Sequence, residues 1–141
     1  MCPHCPPSEV ENACITCVRH LAWDDTPRTS RTVKGWLAKT GHDGGAGTVH
    51  ANSPAEVPAR LEALAALGGL DRAALHSQLA AAVQVVLHVS RGSEGRRLTD
   101  IALLRRDRSG RVGTMPAWHV DRGPQDGMEG LGQLLAARGV R

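Results

Sequence analysis

The chain has no phenylalanine and no tyrosine, and three tryptophans, Trp23, Trp36 and Trp118, are its whole aromatic complement. Leucine, valine and alanine must therefore supply most of the core. At about 25 cal/mol per Å² of apolar area removed from water, such small side chains gain less per ordered residue. The expectation is a modestly stable domain, or one that leans on a partner. Lysine is almost missing too: of 17 basic residues, only Lys34 and Lys39 are not arginine. The formal net charge of +3 is too small to argue for nucleic acid as a partner. No apolar run approaches the ~20 residues needed to cross a bilayer, which excludes direct membrane insertion. The N-terminus carries cysteine and histidine where a secretory signal would need a basic start and a hydrophobic stretch. A cytoplasmic protein is expected, with any contact at the inner face of the membrane made through partners.

A length of 141 residues fits one domain. Three regions are expected: a Cys-rich segment and linker over 1–33, a punctuated subdomain over 34–120, and a Gly/Pro-rich tail over 121–141 closing with a short helix. In the middle region, Thr48 to Ala51 reads as a short strand. Ser53 is the expected N-cap of a helix, with Pro54 at its first position and Glu56 at the third, a capping box. Val57, Leu61, Leu64 and Ala65 follow at helical spacing until Gly68-Gly69, and Pro58 predicts a distorted first turn. A second helix starts after Asp71, with Leu70 stapled onto Leu75 and a buried stripe of Leu75, Leu79 and Ala82. Val83 to Val89 suits a buried strand. Gly92 and Gly95 bracket a turn, Arg97 to Arg105 and Val112 to Trp118 read as two more strands, and Ser109-Gly110 turns between them, giving an antiparallel meander. Pro116 makes the last strand an edge or a short one. Seven arginines fall between Arg91 and Arg111, which reads as solvated hairpin turns.

The most informative stretch is Thr40-Gly41-His42-Asp43-Gly44-Gly45-Ala46-Gly47-Thr48-Val49-His50-Ala51-Asn52-Ser53. Two histidines stand at either end of a glycine-rich turn, just before the helix start. This stretch resembles the histidine box of the type II/IV secretion ATPases. The likeness continues through Pro54-Ala55-Glu56-Val57-Pro58-Ala59-Arg60-Leu61-Glu62 and Gln78-Leu79-Ala80-Ala81-Ala82 to about Trp118, in the pattern of the tight-adherence (Tad) pilus branch.

The resemblance implies an α/β fold: the C-terminal part of a RecA-like secretion ATPase domain, with two helices and an antiparallel meander. It implies His42 and His50 as residues that couple nucleotide hydrolysis to subunit movement, framed by Thr40, Gly41, Thr48 and Asn52. ATP and Mg²⁺ are the implied cofactors of full-length relatives, and homologous protomers or pilus and secretion components the implied partners. A phosphate site needs a glycine-rich loop ending in Gly-Lys-Ser/Thr. Neither lysine makes that motif, and no acidic strand for Mg²⁺ is present. The chain is therefore expected to be a truncated form that does not hydrolyse ATP alone. Removal of the motor core should leave apolar surface around Leu61, Leu64 and Leu79.

Cys2-Pro3-His4-Cys5 and Cys14-Ile15-Thr16-Cys17 are two Cys-x-x-Cys pairs. Together Cys2, Cys5, Cys14 and Cys17 can complete a tetrahedral zinc site. Reduced thiols without metal, or a segment with no selected role, are the competing readings. A small zinc-binding adaptor and a non-functional gene remnant are accordingly the alternatives to the secretion ATPase reading.

Overall fold

The structure, a computed structural model, describes residues 12–15, 47–93 and 95–140. Their elements are β1 (Asn12–Ile15), β2 (Gly47–Val49), a 3₁₀ turn (Pro54–Glu56), α1 (Val57–Leu67), α2 (Arg72–Ala82), β3 (Val85–Gly92), β4 (Gly95–Arg106), β5 (Val112–His119), β6 (Gly123–Pro124) and α3 (Met128–Ala137). Six strands form one sheet in the order β2-β1-β3-β4-β5-β6, and every pairing is antiparallel. The fold is thus mixed α/β, with helices packed on an antiparallel sheet.

The period-2 alternation of strand side chains decides which residues meet which helices. Val86, Ala102, Leu104 and Val112 face one way, into a core completed by Val57, Leu61 and Ala65 of α1 and Leu75 and Leu79 of α2. Leu103 and Ala117 face the other way, onto Leu131 of α3, with Val85, Ile101 and Met128 around them. Leucine, valine and alanine account for both cores, as the absence of Phe and Tyr requires. Trp118 is half-buried in β5, while Trp23 and Trp36 lie outside the described residues.

The helical stripes match expectation except at Ala82, which is exposed at the end of α2. Leu70 packs against the core as the staple requires. Asp71 caps α2, its side chain accepting from the Ala74 amide at 3.1 Å. The capping box at the first helix is shifted by one residue. Ser53 makes no side-chain cap bond, and the Glu56 carboxylate reaches back to Asn52 instead. Two prolines, Pro54 and Pro58, remove backbone donors here, and the chain enters as a 3₁₀ turn before α1 begins.

Two further features differ from the sequence reading. The Cys-rich segment contributes β1, which is inserted between β2 and β3. Four residues with no alternating pattern gave no strand signal. The apolar surface expected around Leu61, Leu64 and Leu79 is also absent. Leu61 and Leu79 are buried and Leu64 packs partly buried against the same core, because the chain's own meander covers them.

The meander carries two register shifts. One lies between His88 and Val89 opposite Thr99, the other between Ile101 and Ala102 opposite Ala117. Pro116 sits beside the second, where β6, pairing only at Trp118 and His119, does not reach it. The strand is therefore an edge at Pro116, where a missing N–H costs nothing.

Candidate functional site

Strand β2 ends at Val49, and the next four residues carry the chain to the 3₁₀ turn. This connection is held by the helix it leads into. Arg60 of α1 donates from Nε to the His50 carbonyl at 3.0 Å. Glu56 accepts at Oε2 from both the Asn52 backbone amide, at 3.2 Å, and Asn52 Nδ2, at 3.0 Å. Glu56 and Arg60 are four residues apart, so they share a helical face and grip the connection at two points. The outcome is an exposed His50 on a fixed backbone. Thr48 is exposed in β2. Thr40, Gly41 and His42 lie outside the described residues, as do Cys2, Cys5 and Cys17. Cys14 is a β1 residue whose register partners are Thr48 and Leu87.

A second polar cluster lies on the sheet, and sequence reasoning gave it no role. His88, Asp100 and His119 are direct cross-strand partners on β3, β4 and β5, so they line one face in a row. His88 is buried, and Asp100 and His119 are about a fifth to a quarter exposed. His88 Nδ1 lies 2.9 Å from Thr99 Oγ1 and 3.1 Å from Asp100 Oδ2. Thr99 Oγ1 donates its own hydrogen to the His88 carbonyl, at 3.2 Å. It can therefore only accept from the ring, as can the carboxylate. This places the hydrogen on Nδ1 and leaves Nε2 as the ring's basic nitrogen. His119 accepts the Asp121 amide at Nδ1, at 3.1 Å, so its Nε2 faces Asp100 Oδ1, at 3.9 Å.

The same register row continues from His88 through Ala13 to Val49. Two strand spacings, roughly 10 Å, therefore separate His88 from the residue before His50. The two bulges flank Asp100, and bulges commonly re-aim side chains next to functional sites. No spacing in the sequence could reveal this row, because it exists only once the bulges set the register. Among the described residues no group of three or more His, Cys, Asp or Glu side chains is arranged to hold a metal ion. What the row offers is hydrogen bonding and proton exchange.

A third polar set is structural. His76, buried in α2, accepts the Val112 amide at Nδ1, at 2.9 Å, and donates from Nε2 to Glu62 Oε1, at 2.8 Å. Glu62 also pairs with Arg72, Nε to Oε2 at 3.0 Å. The relay joins α1, α2 and β5. Burial raises the Glu62 carboxyl, but the His76 hydrogen bond and the Arg72 charge outweigh it and hold the group below its ordinary range.

Among the described residues, no helix is long and apolar enough to cross a membrane. No protein-family model matches the chain, and no solved structure matches it. The chain is similar to two Mycobacterium tuberculosis proteins, from strains CDC 1551 / Oshkosh and H37Rv, both provisionally named as conjugal transfer proteins. Each is 66% identical over 100 residues, covering 70% of this chain. A stretch of that length within 141 residues takes in His50 and both α1 and α2 wherever it is placed. The chain spans 28% of the length of each of these relatives.

Proposed function

We propose that these residues serve a secretion or conjugal transfer machine as a C-terminal motor subdomain of the type II/IV secretion ATPase class, in its Tad-like branch. The observation that carries the reading is the 66% identity to proteins named for conjugal transfer, over a stretch that includes His50 and the helices behind it. The clamp on the His50 backbone supports it. A residue that senses a phosphate must be held in place before the ligand arrives, and Arg60 and Glu56 do that for the connection. In this reading His50, with His42, answers to nucleotide held elsewhere, framed by Thr40, Gly41, Thr48 and Asn52. Backbone amides and a lysine from a phosphate-binding loop would have to come from another part of the assembly, since no Gly-Lys-Ser/Thr motif lies in the 141 residues. Its partners are then ATPase protomers and other components of that machine.

Isothermal titration calorimetry of the purified chain with ATP and Mg²⁺ tests this, with zinc content measured on the same sample. No binding heat is expected from the chain alone. Binding is expected to return when the part of the M. tuberculosis relative outside the matched stretch is added. Stoichiometric Mg²⁺-dependent binding by the chain alone would overturn the division of labour. Stoichiometric zinc lost together with the fold of the Cys-rich segment would favour an adaptor instead.

A further inference from the structure

The clamp on the connection after β2 uses less of Arg60 than the residue offers. Nε donates to the His50 carbonyl at 3.0 Å, and the side chain is exposed. Because the guanidinium is planar, that bond holds its plane beside the main chain. The remaining N–H donors lie on Nη1 and Nη2, the two terminal nitrogens of the same plane. Holding a carbonyl needs one neutral donor. A permanently charged fork is more than that task requires.

The carboxylates nearest in sequence are both engaged elsewhere. Glu56 stands four residues before Arg60, the spacing and order in which an acid and a base pair across a helical turn. Its Oε2 instead takes the backbone amide and Nδ2 of Asn52, at 3.2 and 3.0 Å. Glu62, the one acid within α1, is held by Arg72 and His76, at 3.0 and 2.8 Å. Among the described residues, no carboxylate lies within ion-pair distance of Arg60. Glu56 and Arg60 thus hold the connection separately, and the Nη edge of Arg60 stays beside the exposed His50.

We propose that the Nη edge of Arg60 binds phosphate, taking the terminal phosphate of a nucleoside triphosphate beside His50. The choice of a nucleotide rests on the motor reading above; the phosphate site itself rests on Arg60. A guanidinium matches phosphate oxygens with two parallel charge-assisted hydrogen bonds. One rigid plane then carries the phosphate at Nη and the His50 carbonyl at Nε. A phosphate that arrives or departs therefore acts on the histidine's backbone directly, without passing through its ring.

Nuclear magnetic resonance of the full chain, titrated with inorganic tripolyphosphate at constant ionic strength, tests the proposal. The Arg60 Nε–Hε signal and the Ala51 amide are expected to shift saturably at roughly millimolar ligand, too weak to give heat in the calorimetry above. Arg60→Gln keeps an N–H donor and removes the charged fork, and should weaken binding ~10-fold or more. Arg108→Gln removes the same charge from an exposed turn and should leave binding unchanged. Circular dichroism checks that each variant is folded. No saturable shift in the wild-type chain would overturn the proposal, and so would equal weakening in both variants, which marks charge screening alone. Asp43 lies outside the described residues, and Asp43→Asn covers it. An Nε–Hε signal that moves with that substitution but not with tripolyphosphate would make Arg60 an ion-pair partner instead, and overturn the site. A saturable shift that depends on Arg60 supports the site even if ATP and Mg²⁺ never bind when the rest of the M. tuberculosis relative is added. That last result would sink the motor reading alone.

Discussion

His76 would be read from sequence as a helix-face residue without a role, and its neighbours show why that reading falls short. It occupies a buried position in the Leu75–Leu79 stripe because both ring nitrogens are satisfied, one by the Val112 amide and one by Glu62. The partners lie 36 and 14 residues away, so no local pattern could announce them. Replacing His76 with leucine keeps the volume but orphans a buried N–H. The expected cost is on the order of 1–3 kcal/mol in urea unfolding. Glu62 gives this relay a pH signature. Its folded carboxyl lies below the ordinary value of 4.5. The unfolded chain therefore binds the proton first as pH falls, and the native state loses stability from about 4.5 downward through the folded value. Above that window the contribution is fully present. Glu62→Gln should lower the melting temperature at pH 7, with the difference from wild type shrinking as the pH is taken towards 3. A difference that stayed constant from pH 7 to 3 would mean that the carboxylate charge is not what stabilises the relay.

The secondary elements were more legible than their assembly. Both central helices, the meander and its two turns follow from capping residues, glycines and apolar periodicity, which are local signals. The helix expected around Leu131 to Arg138 is α3, Met128–Ala137. What the pattern left open is how α3 lies on the sheet. Its approach depends on Gly127, where an added Cβ would sit 2.8 Å from the Pro116 carbonyl oxygen and 3.1 Å from that of Met115. Backbone cannot yield as a side chain tip can. The Gly127 amide also donates to the Pro116 carbonyl, at 2.7 Å. Gly127→Ala is therefore expected to push α3 off β5 while leaving α1 and α2 in place. Hydrogen exchange read residue by residue should show faster exchange confined to the α3 amides. Protection lost evenly over all three helices would mean that α3 is not a separable layer. The candidate site was legible to the same limited degree. The histidine-box spacing pointed to His50, but the Arg60 and Glu56 clamp needed the helix to be placed, and the His88–Asp100–His119 row needed two bulges that no residue pattern marks.

At the scale of the whole molecule, the decisive element is the least expected one. Strand β1 stands between β2 and β3, so among the described residues the hydrogen-bonded ladder from β2, and with it the route to His50, reaches the meander by way of Asn12–Ile15. Residues 1–33 read from composition as a separate segment, because cysteines, prolines and polar residues carry no strand period. Pairing is nevertheless a backbone property, and four residues suffice to fill a slot between two strands. A chain beginning at residue 34, the boundary suggested by composition, would lose that filling. Strand β3 would then present open N–H and C=O groups along Leu87 to Val89, an edge of the kind that templates association. Among the described residues, β2 would have no strand beside it. The expected outcome is lower urea stability than the full chain, faster amide exchange at the β1-facing positions of β3, and concentration-dependent self-association in sedimentation velocity. A monomer of unchanged stability would show that β1 is dispensable, and that α1 and α2 alone hold the His50 connection against the meander.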